Sequence, residues 1–241
     1  MAMPELDQLI QAVPVAGIQK LTTIDYPGYL AAVLFVGGCP WNCRYCHNAS
    51  LRMAYPDEAV TEDRLRSFLA DRQGFLEGVV VSGGEPTSHD GLPELLKLIR
   101  EYGYRVAIHT NGFYPEMLKR IVHDRLADYI AMDVKGPARA YDRITRVPNS
   151  CAPVARSIDI VASSGIEHEF RTTFHPKLLS EAELLETMTA VARKSSSRFF
   201  IQMFRKDGVE DDELVRSGDV LTVPAVAIMR GEKLFREFGV R

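Results

Sequence analysis

The chain has 241 residues, of which 46% are apolar and 25% are charged, a mixture typical of globular proteins and not of disordered or fibrous chains. Its 29 basic and 32 acidic residues give a net charge of −3, which provides no general attraction to nucleic acid or anionic membranes. No apolar stretch reaches the length of about 18 residues that a transmembrane helix needs, and the N-terminus does not resemble a signal peptide. We therefore expect a cytoplasmic protein that binds neither nucleic acid nor membranes.

Short apolar runs alternate with amphipathic helical patterns along most of the chain. Six runs predict strands, at Ala31–Val36, Gly78–Ser82, Arg105–Thr110, Asp128–Val134, Glu167–Thr173 and Arg198–Met203. Five helical patterns follow individual strands or lie between them, at Glu62–Arg72, Leu92–Tyr102, Pro115–His123, Ala152–Ser163 and Glu181–Lys194. Continuous apolar strands are typical of parallel sheets, and their alternation with helices predicts an α/β fold.

The segment after the last predicted strand has a weaker pattern. Val209–Glu213 contains four acidic residues in a row and is expected to be a solvated loop. Two stretches, Val220–Ile228 and Lys233–Phe238, flank Arg230–Glu232 and suggest a hairpin around Gly231. A basic stretch earlier in the chain is expected to consist mostly of solvated helix ends, and its members are Lys135, Arg139, Arg143, Arg146 and Arg156.

Polar or potential ligand residues follow every predicted strand. In chain order they are the cysteines at 39–46, Gly83–Pro86, Thr110–Gly112, Asp133 with Lys135, Arg171 with Thr173, and Gln202. The carboxyl ends of parallel strands lie at one edge of a sheet, where α/β proteins bind their ligands. The sequence therefore predicts one shared cavity at that edge.

Three of the four cysteines, Cys39, Cys43 and Cys46, fall within eight residues of each other, and Cys151 is far away. Three thiols on one short segment favour a metal, and soft thiolates select iron–sulfur clusters, zinc or copper(I). A zinc site would take His47 as a fourth ligand, although the second ligand pair of most zinc modules is missing. A cluster held by three cysteines would leave one iron open to an exogenous ligand. The spacing favours a cluster over zinc, and both interpretations stay open at this point.

Other candidates also have a structural explanation. Gly83–Glu85 fits a tight turn between strand and helix, or a stretch of bare backbone that accepts hydrogen bonds from a ligand ammonium. Asp133 and Lys135 alternate on a strand and point to one side, which fits a buried salt bridge as well as a binding site. His109 is expected to be structural, and Tyr45 either packs in the core or lies beside whatever the cysteines hold.

The segment Cys39-Pro-Trp-Asn-Cys43-Arg-Tyr45-Cys46 resembles the CxxxCxΦC signature of radical S-adenosylmethionine (SAM) enzymes, and Gly83–Pro86 strengthens the resemblance. Further segments resemble the activases of glycyl radical enzymes, most closely the activating protein of anaerobic ribonucleoside-triphosphate reductase. These segments are Gly17–Gly28, Cys46–Asn48, Thr110–Gly112 and Ala131–Lys135. The resemblance covers residues 17 to 205, which is most of the chain.

The resemblance implies a partial (β/α)6 barrel with a parallel sheet and one 4Fe–4S cluster. It also implies a single radical SAM domain over residues 1–241, with a core at about 17–205 and a C-terminal extension at 206–241. The open iron of the cluster would bind S-adenosylmethionine, whose reductive cleavage yields a 5′-deoxyadenosyl radical. This radical would take a hydrogen from a backbone glycine of a partner enzyme. Reduced flavodoxin or ferredoxin would be the electron donor.

The family's pattern also implies roles for individual residues. Cys39, Cys43 and Cys46 would ligate the cluster, and Lys135 would neutralise the carboxylate of S-adenosylmethionine. The remaining cofactor contacts would be Tyr45, Gly83, Gly84, Glu85, Thr110, Asn111, Asp133, Arg171 and Gln202. Asp25 and Asn48 would face the partner's glycine loop. Two alternatives remain, a radical SAM enzyme with a small-molecule substrate and a zinc-stabilised binding module without catalysis.

Overall fold

The computed structural model describes residues 8–53, 59–217 and 221–241, which form two compact units. Within the described residues, the first unit contains the chain up to Pro40 together with Ser50–Thr110 and Glu116–Ile130. The second unit contains Trp41–Ala49, Asn111–Pro115 and Ala131–Arg241. The chain therefore passes between the units several times.

The first unit is built around parallel strands with helices between them. Strand β2 pairs in parallel with β3, β3 pairs in parallel with β4, and β1 pairs with β2 in the antiparallel sense. Short 3-10 helices follow β2 and β3, at Ala49–Arg52 and Pro86–Ser88. The elements in chain order are α1 (Gln8–Ala12), β1 (Val15–Thr22), β2 (Ala31–Val36), α2 (Glu62–Asp71), β3 (Gly78–Gly83), α3 (Leu92–Glu101), β4 (Arg105–Thr110) and α4 (Pro115–His123).

The core of the first unit explains why its strands are continuous apolar runs. Val79, Val80 and Val81 are consecutive residues of β3, and all three are completely buried. Consecutive burial requires cover on both faces of the sheet, as in parallel α/β proteins. One face of α3, including Leu95 and Ile99, is completely buried as well.

The second unit repeats the alternation of strands and helices. Strands β6, β7 and β8 pair in parallel, with Arg171 opposite Phe200 and Phe200 opposite Gly239. Strand β5 (Tyr129–Asp133) ends in this unit. The other elements are α5 (Ala138–Thr145), α6 (Cys151–Ser163), β6 (Glu167–Phe174), α7 (Glu181–Ala192), β7 (Arg198–Met203), α8 (Asp212–Val215), α9 (Ala225–Leu234) and β8 (Glu237–Val240).

The strand and helix predictions hold closely, and the prediction of an α/β fold with a parallel sheet is confirmed. Ala31–Val36, Arg105–Thr110 and Arg198–Met203 have the predicted bounds, and each remaining predicted element is present within two residues at either end. Strands β1 and β8 were not predicted. Helices α1, α5, α8 and α9 were not predicted either, although α5 buries one face that includes Tyr141 and Ile144.

The predicted hairpin around Gly231 is wrong. Val220, where its first arm begins, lies outside the described residues, and the part that is described forms α9 followed by the parallel strand β8. Gly231 lies within α9, and a Cβ atom at this position would be 2.2 Å from the ring of Phe238. The glycine therefore permits close packing of the helix on an aromatic ring and does not form a turn.

The prediction of a solvated acidic loop at Val209–Glu213 is also wrong in one respect. The side chain of Asp211 is 6% exposed and pairs with two arginines, Arg44 and Arg146. Arg139 and Arg143 of the basic stretch likewise pair with carboxylates on α7. Local charge patterns did not indicate these pairs because the partners are distant in sequence.

Candidate functional site

In the first unit, the glycines after β3 bring the backbone close to the segment after β2. The backbone N–H of Gly84 donates to the Val36 carbonyl at 2.8 Å, and that of Glu85 donates to the Gly38 carbonyl at 2.7 Å. A Cβ atom on Gly84 would lie 2.1 Å from the Gly38 oxygen, and Gly83 has a φ of +117°. Both positions therefore require glycine, one for space and one for backbone conformation.

Glu85 is completely buried and organises the turn. Its Oε1 atom accepts hydrogen bonds from the Thr87 N–H at 3.0 Å, the Thr110 hydroxyl at 2.7 Å and the Thr87 hydroxyl. The carboxylate thereby caps the 3-10 helix Pro86–Ser88. Two predicted site residues, Glu85 and Thr110, are thus joined directly by a hydrogen bond. Thr87, which donates to the same carboxylate oxygen, was not predicted from the sequence, although Glu-Pro is typical of a helix start.

Asp25 follows β1 in the same unit and is half-buried. Its carboxylate accepts a hydrogen bond from the Thr22 hydroxyl, and its backbone carbonyl lies 2.9 Å from His109 Nε2. His109 thus holds the backbone of this loop, in line with its predicted structural role. Cys39 also belongs to the first unit, where its backbone N–H donates to the Arg52 carbonyl at 3.3 Å.

In the second unit, the segment Trp41–Asn48, termed the cysteine loop, is anchored to the end of α5. The N–H of Asn42 donates to the Thr145 carbonyl at 3.0 Å, and the N–H of Arg44 donates to the Ile144 carbonyl at 3.1 Å. The last carbonyls of a helix have no partner within the helix. The cysteine loop therefore satisfies the helix end, and α5 in turn fixes the loop around Cys43.

Three predicted site residues form a charge cluster in the second unit, in which Lys135 and Arg171 are buried and Asp133 is partly exposed. Asp133 Oδ2 is 3.3 Å from Lys135 Nζ, and Asp133 Oδ1 is 2.9 Å from Arg171 Nε. The Lys135 ammonium also lies 5.3 Å from the centre of the Tyr45 ring, which is cation–π distance. Burial acts to lower the pKa of Lys135, but attraction to Asp133 outweighs it and the pKa lies well above its usual range. Lys135 is therefore a fixed positive charge.

The cysteine thiols match an iron–sulfur cluster in donor type. Cys39, Cys43 and Cys46 form no disulfide with a described residue and are partly exposed. Burial raises the pKa of Cys43 to about 11, although the Lys135 charge opposes this rise, so the metal-free thiol stays protonated. A bound metal would remove that proton. Within residues 8–53, 59–217 and 221–241, no group of three His, Cys, Asp or Glu side chains is arranged to hold a metal ion, so the match is one of chemistry.

Two buried donors on the cysteine loop strengthen this match. The Trp41 indole N–H and the Tyr45 hydroxyl are buried and have no hydrogen-bond partner in the described part of the chain. Buried polar groups are normally paired, and an unpaired one costs about 1–3 kcal/mol. Acceptors on a bound group would satisfy both donors, and the sequence reasoning had not identified Trp41 as part of the site.

The remaining predicted site residues are Asn111, Gln202 and Asn48, and each lies in a different loop or strand. Asn111 is buried, and its Oδ1 accepts the Phe113 N–H at 2.9 Å, which forms a local turn. Gln202 lies on β7 opposite Thr173 of β6 and is partly exposed. Asn48 ends the cysteine loop and is half-buried.

Comparisons with known proteins identify the family of this chain. The pattern of the Radical SAM superfamily matches residues 33–191. The Methanocaldococcus jannaschii protein named "Putative glycyl-radical enzyme activating enzyme MJ1227" is 32% identical over 206 residues, 83% of each chain. The pyruvate formate-lyase-activating enzyme of Clostridium pasteurianum is 35% identical over 129 residues, 49% of this chain and 50% of that protein.

A solved structure shows the same fold. Streptococcus suis SuiB bound to S-adenosylmethionine superposes with a TM-score of 0.57 at 13% identity, over 88% of this chain and 46% of that one. This chain therefore belongs to the radical SAM superfamily, and the predicted radical SAM fold is confirmed. None of the helices in the described ranges is long and apolar enough to cross a membrane.

Within this superfamily, the chain belongs to the glycyl-radical-enzyme activating enzymes. Superfamily members use a 4Fe–4S cluster and S-adenosylmethionine, so the predicted cofactors are confirmed at the level of the family. The chain is thus an enzyme, and the alternative of a zinc module without catalysis is set aside.

Proposed function

We propose that this enzyme generates the glycyl radical of an anaerobic ribonucleoside-triphosphate reductase. The observation that carries the proposal is the cysteine signature within a chain that is similar, over 83% of its length, to a protein named as an activating enzyme of glycyl radical enzymes. The choice of reductase rests on the resemblance at Gly17–Gly28, Cys46–Asn48, Thr110–Gly112 and Ala131–Lys135. No feature of the described residues favours a small-molecule substrate.

Cys39, Cys43 and Cys46 are proposed to ligate the cluster. When bound, the cluster supplies the electron that cleaves S-adenosylmethionine and so yields the radical that abstracts a glycine hydrogen. The chain's own contribution begins with Cys43, whose thiol gives up its proton on ligation. The nearby charge of Lys135 lowers the cost of holding that thiolate in a buried place.

Lys135 is also proposed to bind the carboxylate of S-adenosylmethionine. Asp133 positions the Lys135 ammonium, and Arg171 shares the carboxylate of Asp133. Arg171 also lies 3.8 Å from the buried carboxylate of Glu169, which pairs in turn with Arg241. Three cations and two carboxylates therefore meet here, which leaves one positive charge for an anionic ligand group. Tyr45 is proposed to line the adenine side, and Asn111, Arg171 and Gln202 are proposed as further contacts.

Gly83, Gly84 and Glu85 are proposed to bind the ammonium group of S-adenosylmethionine. The glycines present backbone without side chains, and Glu85 contributes negative charge while its Oε1 holds the turn together. Thr110 is proposed as a cofactor contact that also fixes Glu85.

Asp25 and Asn48 are proposed to face the glycine loop of the partner, and reduced flavodoxin or ferredoxin is proposed as the electron donor. A cytoplasmic location is proposed because the four cysteines form no disulfide among the described residues, as is typical of reducing compartments. One radical SAM domain over residues 1–241, with a core at 17–205, remains our proposal for domain organisation.

The test is an anoxic reconstitution with iron and sulfide, followed by reduction and addition of S-adenosylmethionine. We expect 5′-deoxyadenosine in solution and an electron paramagnetic resonance (EPR) doublet of a glycyl radical on added anaerobic ribonucleotide reductase. Pyruvate formate-lyase serves as the matched control partner and should give a weaker doublet. An equal or stronger doublet on pyruvate formate-lyase would overturn the choice of partner. Absence of 5′-deoxyadenosine would overturn the activity itself.

A further inference from the structure

The segment after β7 contacts the cysteine loop, although the two are more than 150 residues apart in the sequence. We term residues 204–217 the tail segment. Within it, Asp211 accepts two hydrogen bonds from the guanidinium of Arg44, from Nε at 2.7 Å and from Nη2 at 3.2 Å. Arg44 lies between Cys43 and Cys46 in the cysteine loop. A two-point bond between guanidinium and carboxylate fixes orientation as well as distance.

A second contact lies on the other side of Cys46. His47 Nδ1 is 2.9 Å from the Asp207 carbonyl, and the His47 ring packs at 6.2 Å from the ring of Phe204. Gly208 has a φ of +74°, and a Cβ atom there would lie 2.3 Å from the His47 carbonyl oxygen. The tail segment therefore holds the two residues, Arg44 and His47, that flank Tyr45 and Cys46.

The ion pair between Asp211 and Arg44 is the strongest of these contacts because the Asp211 carboxylate is buried. Its side chain is 6% exposed, whereas Glu213, the other acidic partner of Arg44, is 60% exposed. Exposed ion pairs contribute little, but a buried bidentate pair holds its geometry. Arg146, with a left-handed φ of 57°, adds a third bond to Asp211 at 2.8 Å.

We propose that Asp211 is a positioning residue, which acts through Arg44 to hold the cysteine loop in the conformation that ligates the cluster. The inference rests on the proposed ligation by Cys43 and Cys46. The tail segment lies beyond residues 33–191, where the superfamily pattern matches, so this role is not part of that pattern. Partners that orient metal ligands typically change metal affinity 10- to 100-fold when they are removed.

The first experiment measures how fast iron leaves the reconstituted protein in the presence of a ferrous chelator under anoxic conditions. We expect Asp211→Asn to lose iron about tenfold faster than the wild type. Asp212→Asn is the matched control, because it makes the same change at a neighbouring residue that is 78% exposed and, among the described residues, forms an ion pair only with Arg216. It should stay within about twofold of the wild type. Equal rates for Asp211→Asn and the control would overturn the proposal.

The second experiment uses the metal-free protein and so does not depend on cluster binding. Hydrogen exchange of peptides that cover residues 41–48 should be faster in Asp211→Asn, while peptides from β6 and β7 exchange as in the wild type. Faster exchange across the whole second unit would mean a general folding role and would overturn the proposal. If the wild type takes up no cluster, the proposed function fails, and this exchange still shows whether Asp211 orders the loop.

A double-mutant cycle tests whether Asp211 acts through Arg44. Iron release is measured for Arg44→Gln, Asp211→Asn and the double variant. Residues that act as one unit are not additive, so the double variant should release iron no faster than the more affected single variant. Multiplicative rates would show independent roles and overturn the proposal. Asp211→Glu, which keeps the charge, should recover part of the slow release.

Discussion

Replacing Lys135 by methionine should weaken S-adenosylmethionine binding far more than it destabilises the fold. Methionine keeps an apolar stem at a residue that is 8% exposed. Asp133 keeps its 2.9 Å bond to Arg171, so the carboxylate stays paired and the free energy of unfolding should change by less than about 2 kcal/mol. A lost charged hydrogen bond to the cofactor carboxylate is worth about 1.5–3 kcal/mol, or about 10- to 150-fold in affinity.

The assay is an anoxic titration of the reduced, reconstituted protein with S-adenosylmethionine, followed by the change in its EPR spectrum. Iron and sulfide content should match the wild type, because Lys135 is not a proposed ligand. Lys194→Met is the matched control, since this lysine is 52% exposed and pairs only with Asp159 in the described part of the chain. Equal affinity in the Lys135 variant and the control would refute the proposed carboxylate contact.

Three further predictions follow from the same geometry. Cys43→Ala should abolish 5′-deoxyadenosine formation and lower the iron content; full iron and full turnover would exclude Cys43 as a ligand. Gly84→Ala should lower the melting temperature and cofactor affinity because of the clash with Gly38, whereas Gly17→Ala, with open space around it, should change neither. Hydrogen bonds from the Arg44 guanidinium hold the pKa of the Asp211 carboxyl below the ordinary aspartate value, which is about 3.9. Its contribution to stability is therefore complete above about pH 4, and the difference between wild type and Asp211→Asn in urea titrations should shrink at lower pH. A constant difference would contradict this.

The repeated strand–helix order was predictable because several buried strands, among them β2, β3 and β7, are largely apolar runs. Ala31–Val36 and Arg198–Met203 show this, and their predicted bounds match the structure. Strand β1 was missed because its middle residues are half-buried or exposed, which gives an edge strand no clear pattern. Gly231 misled the reasoning because a glycine in a helix and a glycine in a turn look alike until the packing of Phe238 is known.

The candidate site was predictable where one short segment carries its residues, as in the cysteine loop and at Gly83–Glu85. The pairing of Asp133 with Lys135 was also among the expected outcomes, because alternate residues on a strand point to the same side. Contacts between distant segments were not predictable. Asp211 looked like one member of a solvated acidic run, since its partner Arg44 lies 167 residues away.

The contact between Arg44 and Asp211 has a consequence for chimaeras of radical SAM activases. A graft that takes residues 33–191 from one protein and the remainder from another would transfer the cysteine motif complete. It would also separate Arg44 from the Asp211 carboxylate with which it pairs. Exchange of these two residues as a pair, together with Gly208, should decide whether such hybrids mature into cluster-loaded proteins.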